Sequence, residues 1–271
     1  MQFKAWIPNA LTLANLGCGA LAIHVVLTQG GHSGGWTVAG LMLVAMLCDF
    51  LDGFVARALK VSSPLGKELD SLADMVTFGL LPGILAMVMV QSGLDRMASA
   101  RPMDDIPEWR NFLPYIGLVI PLLSALRLAK FNLDTRQSDK FLGLATPANA
   151  LFFLSLFLVQ SYDQPHAYLS TPFDQGWILT NEQHWSWQWL GWMVHPYAVP
   201  VIAVLFSALL VTELPLIAFK FKGMGWKENW PKYVLLGICV ALLAIFGYRA
   251  GPPILLAYFV LSLIDAKRKN A

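Results

Sequence analysis

Residues 48–74 read CDFLDGFVARALKVSSPLGKELDSLAD, with one apolar run before them and another after. Asp49, Asp52, Gly53, Ala56 and Arg57 recur at steps of three, one, three and one. On a helix these positions share a face. Gly66, Asp70 and Asp74 are spaced by four and line one face of a following helix. Pro64 breaks the chain between the two. The spacing therefore predicts two adjacent helices, each bringing two carboxylates to a common volume at the ends of apolar segments.

The rest of the chain explains why the segments are apolar. Of its 271 residues 56% are hydrophobic and 13% charged, against roughly a quarter charged in a soluble domain. Apolar runs approaching or exceeding the about 20 residues needed to cross a bilayer recur throughout. Backbone polar groups in lipid must be paired within the segment, so these runs are read as helices. The expected fold is an all-α polytopic membrane protein with about eight transmembrane helices, at 7–28, 36–59, 68–91, 112–131, 145–161, 197–219, 231–248 and 252–266. The last two, joined by GYRAGPP, are expected as a tight hairpin or one broken helix. Residues 1–220 would form the core, carrying an extracytoplasmic aromatic loop at 162–196, and 221–271 a carboxyl-terminal helix pair. The apolar stretch near the amino terminus is too long for a signal peptide and is read as the first span.

Fifteen of the nineteen Lys and Arg fall at the amino terminus, in the carboxyl tail and after the second, fourth and sixth spans. Arg96, Arg101, Arg110 and Arg249 are the others. By the positive-inside rule both termini face the cytoplasm, and the acids of residues 49–74 lie at or just within that surface. A net charge of +2 gives no sign of a nucleic-acid partner. The loop 162–196 holds five of the ten tryptophans and no Lys or Arg, which suits a segment resting on lipid headgroups. His166, His184 and His195 in that loop lack the spacing of a metal site. Cys18, Cys48 and Cys239 are read as packing residues.

Four carboxylates in one small volume repel unless cations lie between them. Hard divalent ions with oxygen ligands meet that need, and Mg²⁺ in particular joins carboxylates to substrate phosphates. Two such ions can clamp the attacking and leaving oxygens of a phosphoryl displacement. Gly53 and Gly66 allow close approach to the backbone, and Arg57 offers a forked phosphate donor. Two other readings stand beside this one. The acids could pair with Arg57, Lys60 and Lys67 as surface salt bridges, or serve a divalent-cation transporter, although carriers place such groups near the midplane on broken helices.

The pattern Asp-x2-Asp-Gly-x2-Ala-Arg-x8-Gly-x3-Asp-x3-Asp, from Asp49 through Asp74, resembles that of the CDP-alcohol phosphotransferases at every fixed position. The resemblance implies integral-membrane enzymes with a six-helix core, two divalent cations (Mg²⁺ or Mn²⁺) and a CDP-linked lipid donor. It implies that Asp49, Asp52, Asp70 and Asp74 bind metal and that Asp74 is also the general base. Asp52, Gly53, Arg57, Ser63 and Gly66 would lie against the CDP part of the donor. PNALT, residues 8–12, resembles the donor-binding segment near the amino terminus of the family, which adds Asn9 and Thr12.

LRLAKFN (126–132) and FLGLATPANA (141–150), with ELDSLADMVTFG and LTLANLGCG, look like the membrane-embedded phosphatidylserine synthases within that family. The expected reaction transfers the phosphatidyl group of CDP-diacylglycerol to the hydroxyl of L-serine and releases CMP, in phospholipid biosynthesis. A zwitterionic acceptor calls for a cation, and Arg127, Lys130, Arg136 and Lys140 cluster on the side of the acids. Arg127 and Lys130, three apart, rank first, and Asn132 and Thr146 could add hydrogen bonds. Glycerol 3-phosphate or inositol phosphate as acceptor, and an ether-lipid donor, stay open. The resemblance also suggests a homodimer, in a bacterial-type inner membrane.

Overall fold

The first two expected spans form one helical element, α1 (Trp6–Ala58), in the computed structural model, which describes residues 6–61, 63–100, 107–133, 141–163, 188–217 and 225–270. Gly30 interrupts it with φ of 68°, a left-handed conformation that glycine adopts without a Cβ clash. The Thr12 hydroxyl donates to Asp52 Oδ2 at 2.5 Å. Forty residues of straight helix would separate these two by about 60 Å. The arms of α1 therefore fold back on each other, and the acids at the end of the second arm return to the start of the first.

The third expected span begins earlier, as α2 (Pro64–Asp74), and continues through a π-helical segment (Met75–Leu80) into α3 (Leu81–Ala100). A 3₁₀ segment (Glu108–Leu118) leads into α4 (Val119–Leu133). The fifth span is α5 (Thr146–Tyr162), and a short α6 (Gln188–Met193) precedes α7 (Ala198–Val211). The sixth span was expected to run to residue 219, but α7 stops at Val211. Pro215 disfavours helix at the residue before it, and the chain extends there instead. Pro215–Leu216 (β2) pairs antiparallel with Phe141–Leu142 (β1), Phe141 opposite Leu216. The chain ends in α8 (Trp226–Phe246), a 3₁₀ turn (Gly247–Ala250) and α9 (Gly251–Asn270).

The fold class is all-α, with the β1–β2 bridge as a minor addition. Trp6–Ala58, Pro64–Ser99, Glu108–Leu133 and Asn229–Arg268 are each long and apolar enough to cross a membrane. The first reverses at Gly30. The last reverses at Gly247, because the Arg268 guanidinium lies 5.8 Å from the Trp230 ring at the opposite end of the pair; the hairpin is thus the form taken. α5 and α7 have 17 and 14 residues, short of the about 20 a crossing needs, so a count of eight crossings remains an expectation.

α5 is central. Residues on all its faces are buried, among them Phe152, Phe153, Leu156 and Phe157, as expected of a helix apolar all round. It packs on α1, α3 and α9. Exposed Leu13, Leu21, Leu43 and Leu47 on α1, with Leu236, Val240, Leu243 and Ile245 on α8, give the molecule an apolar outer surface suited to lipid. Cys18, Cys48 and Cys239 are free. His195 is buried, its Nδ1 accepting from the Tyr197 amide at 3.3 Å; His166 and His184, with most of the 162–196 loop, lie outside the described residues.

At the end of α5 remote from the acids, Asp163 ties the α8–α9 turn to the core. Arg249 donates to both its carboxylate oxygens at 2.6 Å, and the Tyr248 hydroxyl donates at 2.5 Å. Trp36 stacks on Tyr162 and meets Tyr248 edge-on. Hydrogen bonds to a charged group are worth roughly 1.5–3 kcal/mol each, so Asp163→Ala is expected to lower stability by about 2 kcal/mol. Thermal unfolding in detergent of Asp163→Ala, Arg249→Ala and the double variant checks this. The two single losses should not add, because both remove the same pair.

Candidate active site

The second arm of α1 ends at a turn closed by Lys60 N–H to Arg57 C=O (3.2 Å) and Val61 N–H to Ala56 C=O (3.0 Å). Lys60 takes φ of 53°, where glycine is usual. Strain of this kind gathers at functional sites, and Lys60 lines the cleft described next. α2 then starts with Ser63 as its cap, Oγ accepting from Gly66 N–H at 2.9 Å, and Pro64 in the first turn. A proline there lacks only an N–H that would go unused. This compact corner brings α2 back along α1.

As a result the carboxylates of Asp49, Asp70 and Asp74 each offer an oxygen within 4.8 Å of the other two. Asp52 lies outside that triplet, on the Thr12 hydroxyl. Two unit charges 4 Å apart in partly buried surroundings repel by about 4 kcal/mol. Among the described residues Arg57, Lys60 and Lys67 form no close ion pair with any of the four acids, and Arg57 acts on Asp52 from a distance. The triplet is an all-oxygen donor set that could hold a divalent cation.

Asn9, Thr12, Asp52, Gly53, Arg57, Ser63 and Gly66 all line one cleft of about 650 Å³, together with Lys60, Lys67 and Asp70. Asp70 belongs to both the cleft and the triplet. At Gly66 a Cβ would lie 3.0 Å from Ser63 Oγ and 3.1 Å from Asn9 Oδ1. The Arg57 guanidinium folds back over Gly53, 3.4 Å from where a Cβ would be. Three cationic side chains and the first turn of α2 give the cleft a positive bias next to the acids, which favours anionic groups such as phosphate.

The four acceptor candidates separate. Arg127 is buried and donates to Thr146 Oγ1 at 3.3 Å, within electrostatic reach of Asp74. Lys130 is exposed. The Asn132 amide donates to Ser71 Oγ at 2.8 Å and its carbonyl accepts from Lys67 Nζ at 3.2 Å, so it braces α4 against α2. Arg136 and Lys140 lie outside the described residues.

Two neighbours of the acids were not singled out from the sequence. Asn15, fully buried on the first arm of α1, donates from Nδ2 to Asp74 Oδ1 at 3.4 Å. Thr77, in the π segment, donates to the Asn15 carbonyl at 3.2 Å. A Cβ on Gly19 would collide with Thr77, so the glycine permits this contact. The available signal was an amide within an otherwise apolar span.

A family model described as CDP-alcohol phosphatidyltransferase matches residues 5–197. The chain belongs to this family. It is 34% identical over 146 residues to the CDP-diacylglycerol–serine O-phosphatidyltransferase of Bacillus subtilis, covering 52% of this chain and 70% of that protein. The enzyme of the same name from Mycobacterium tuberculosis is 28% identical over 265 residues, 93% of this chain and 75% of its own length. An archaetidylserine synthase from Methanothermobacter thermautotrophicus is 31% identical over 161 residues, 58% of this chain and 60% of that protein.

The repulsion within the triplet has a measurable sign. In EDTA, Asp70→Asn is expected to raise the unfolding midpoint by removing one of three like charges. It should also abolish the rise that Mn²⁺ produces in the unsubstituted protein. Unfolding scans with and without Mn²⁺ test both; a lower midpoint in EDTA would mean that the carboxylates are neutralised in another way.

Proposed function

We propose that this protein is a phosphatidylserine synthase, which transfers the phosphatidyl group of CDP-diacylglycerol to the hydroxyl of L-serine and releases CMP. The observation that carries the reading is the sharing of Asp70 between the carboxylate triplet and the basic cleft. A phosphate group held in the cleft would lie beside the acids. Family membership and the serine-specific names of the relatives support the choice of reaction and acceptor.

The cleft takes the cytidine diphosphate part of the donor, with Asn9, Thr12, Ser63 and Arg57 contacting it and Gly53 and Gly66 giving it room. Asp49, Asp52, Asp70 and Asp74 hold two divalent cations, Mg²⁺ or Mn²⁺. When bound, these supply Lewis-acid stabilisation of charge on the phosphates. Asn15 orients the Asp74 carboxylate. Asp74 takes the proton of the serine hydroxyl as its oxygen bonds to the phosphorus that bears the diacylglycerol. The bond from that phosphorus to the CMP oxygen breaks, and Arg57 stabilises the departing CMP. Arg127, with Thr146 beside it, faces the serine carboxylate. Positioning and electrostatics do most of the work in such a transfer.

The apolar surface suits acyl chains lying between helices, with both termini and the acids on the cytoplasmic side of an inner membrane and the protein present as a homodimer. An ether-linked donor is the second reading. The archaetidylserine synthase relative favours it, because the head-group chemistry is shared while the chains differ.

The test is CMP release by the purified full chain with Mn²⁺ and CDP-diacylglycerol, with and without L-serine, repeated with the ether-linked donor. Serine-dependent release abolished by EDTA is expected. A general base contributes roughly 10²–10⁴-fold, so Asp74→Asn should keep the fold and lose turnover on that scale. Release that depends on glycerol 3-phosphate or inositol phosphate instead of serine would overturn the acceptor assignment.

A further inference from the structure

Buried side-chain polar atoms without a hydrogen-bond partner among the described residues include Ser124 Oγ and both amide atoms of Asn149. Both residues are 0% exposed. A buried carboxamide that leaves its donor and its acceptor unused is costly, and it calls for a ligand or a water. Leucine or alanine would fill the same space without that penalty. The surroundings are otherwise apolar, with Phe152, Phe153 and Ala150 fully or nearly fully buried beside Asn149 in sequence.

The positions of these two residues are related. Ser124 precedes Arg127 by three on α4, and Asn149 follows Thr146 by three on α5. Residues three apart share a helix face. The hydrogen bond from Arg127 to Thr146 joins the carboxyl-terminal half of α4 to the first turn of α5. Moving back along α4 and forward along α5 then leads in the same direction, away from the cytoplasmic end, and Ser124 and Asn149 each lie one turn deeper. The π segment packs on both helices. It begins next to Asp74, and a Cβ on its Gly79 would sit 3.1 Å from Ser124 Cβ. The faces of α4 and α5 joined by the Arg127–Thr146 bond thus carry two further neutral polar side chains, Ser124 and Asn149, one turn deeper and enclosed by protein.

We infer that Ser124 and Asn149 form the base of the acceptor site and select a zwitterionic amino acid, the inference resting on the serine reading above. The carboxamide is suited to both ends of such a ligand. Its N–H groups donate to a carboxylate and its oxygen accepts from an ammonium. Among the described residues one guanidinium, that of Arg127, lies beside these neutral groups, which matches a ligand of no net charge, whereas a phosphate-bearing acceptor needs further cations. Neither residue takes part in proton transfer.

The test uses the full chain with Mn²⁺ and CDP-diacylglycerol, following CMP release against L-serine concentration for the unsubstituted protein, Asn149→Leu and Ser124→Ala. Loss of a buried hydrogen bond to a charged ligand group should raise the KM for serine about tenfold or more in each variant, with the KM for CDP-diacylglycerol unchanged. Unfolding midpoints without serine should hold or rise, and the rise in midpoint on adding serine should disappear in Asn149→Leu. Ser124→Ala, the smaller change, keeps the test decisive if Asn149→Leu does not fold. An unchanged serine KM in the folded variants overturns the inference while serine-dependent turnover of the parent leaves the function standing. Equal losses toward both substrates with lowered midpoints also overturn it, as the mark of a packing role. A parent protein with no serine dependence overturns the function and this inference together.

Discussion

Carboxylates from three positions on two helices are brought within 4.8 Å of one another, close enough to repel unless a proton or a cation lies between them. Asp49 is carried on the second arm of α1, while Asp70 and Asp74 are carried on α2. The corner between them is short, closed by backbone hydrogen bonds and capped by Ser63. The first arm of α1 returns to the same place through the reversal at Gly30, and it brings Thr12 to Asp52 and Asn15 to Asp74. Carboxylates without a partner at the ends of apolar helices are costly, and a divalent cation held by this oxygen donor set would relieve that cost.

The rest of the molecule follows from that corner. The basic cleft lies on one side, where the start of α1 meets the start of α2, and Gly66 lets the two helices come close enough to form it. The π segment lies on the other side, between α4 and α5. It widens the helix directly after Asp74, a kind of distortion often found at functional sites. The cleft and the carboxylates thus lie side by side at α2 and share Asp70.

The far end of the molecule is built differently. There Asp163 is fully engaged by Arg249 and Tyr248, and aromatic rings from α1, α5 and the α8–α9 turn pack together. Both oxygens of the Asp163 carboxylate accept hydrogen bonds within the protein, so the cluster holds elements together. At the acid end polar groups are left for something else. This difference in satisfaction separates a fastening from a site, although both are clusters of charged side chains at helix ends.

The acids, their helical spacing and the apolar runs around them were legible from the sequence, because both patterns are local: a helical repeat of 3.6 residues and a run long enough for lipid. The same holds for the break at Pro64 and for the reversal at GYRAGPP. Tertiary structure alone decided which acids meet. Asp52 accepts from Thr12, forty positions away, and no local pattern encodes that distance. It also decided the fates of Arg127 and Lys130, which share a spacing but not an environment: one turns inward to Thr146 and the other outward. Asn15, Ser124 and Asn149 look unremarkable along the chain, each a neutral polar residue flanked by apolar ones. Their meaning depends on whether a partner is within hydrogen-bond reach, and only the packing of other helices determines that.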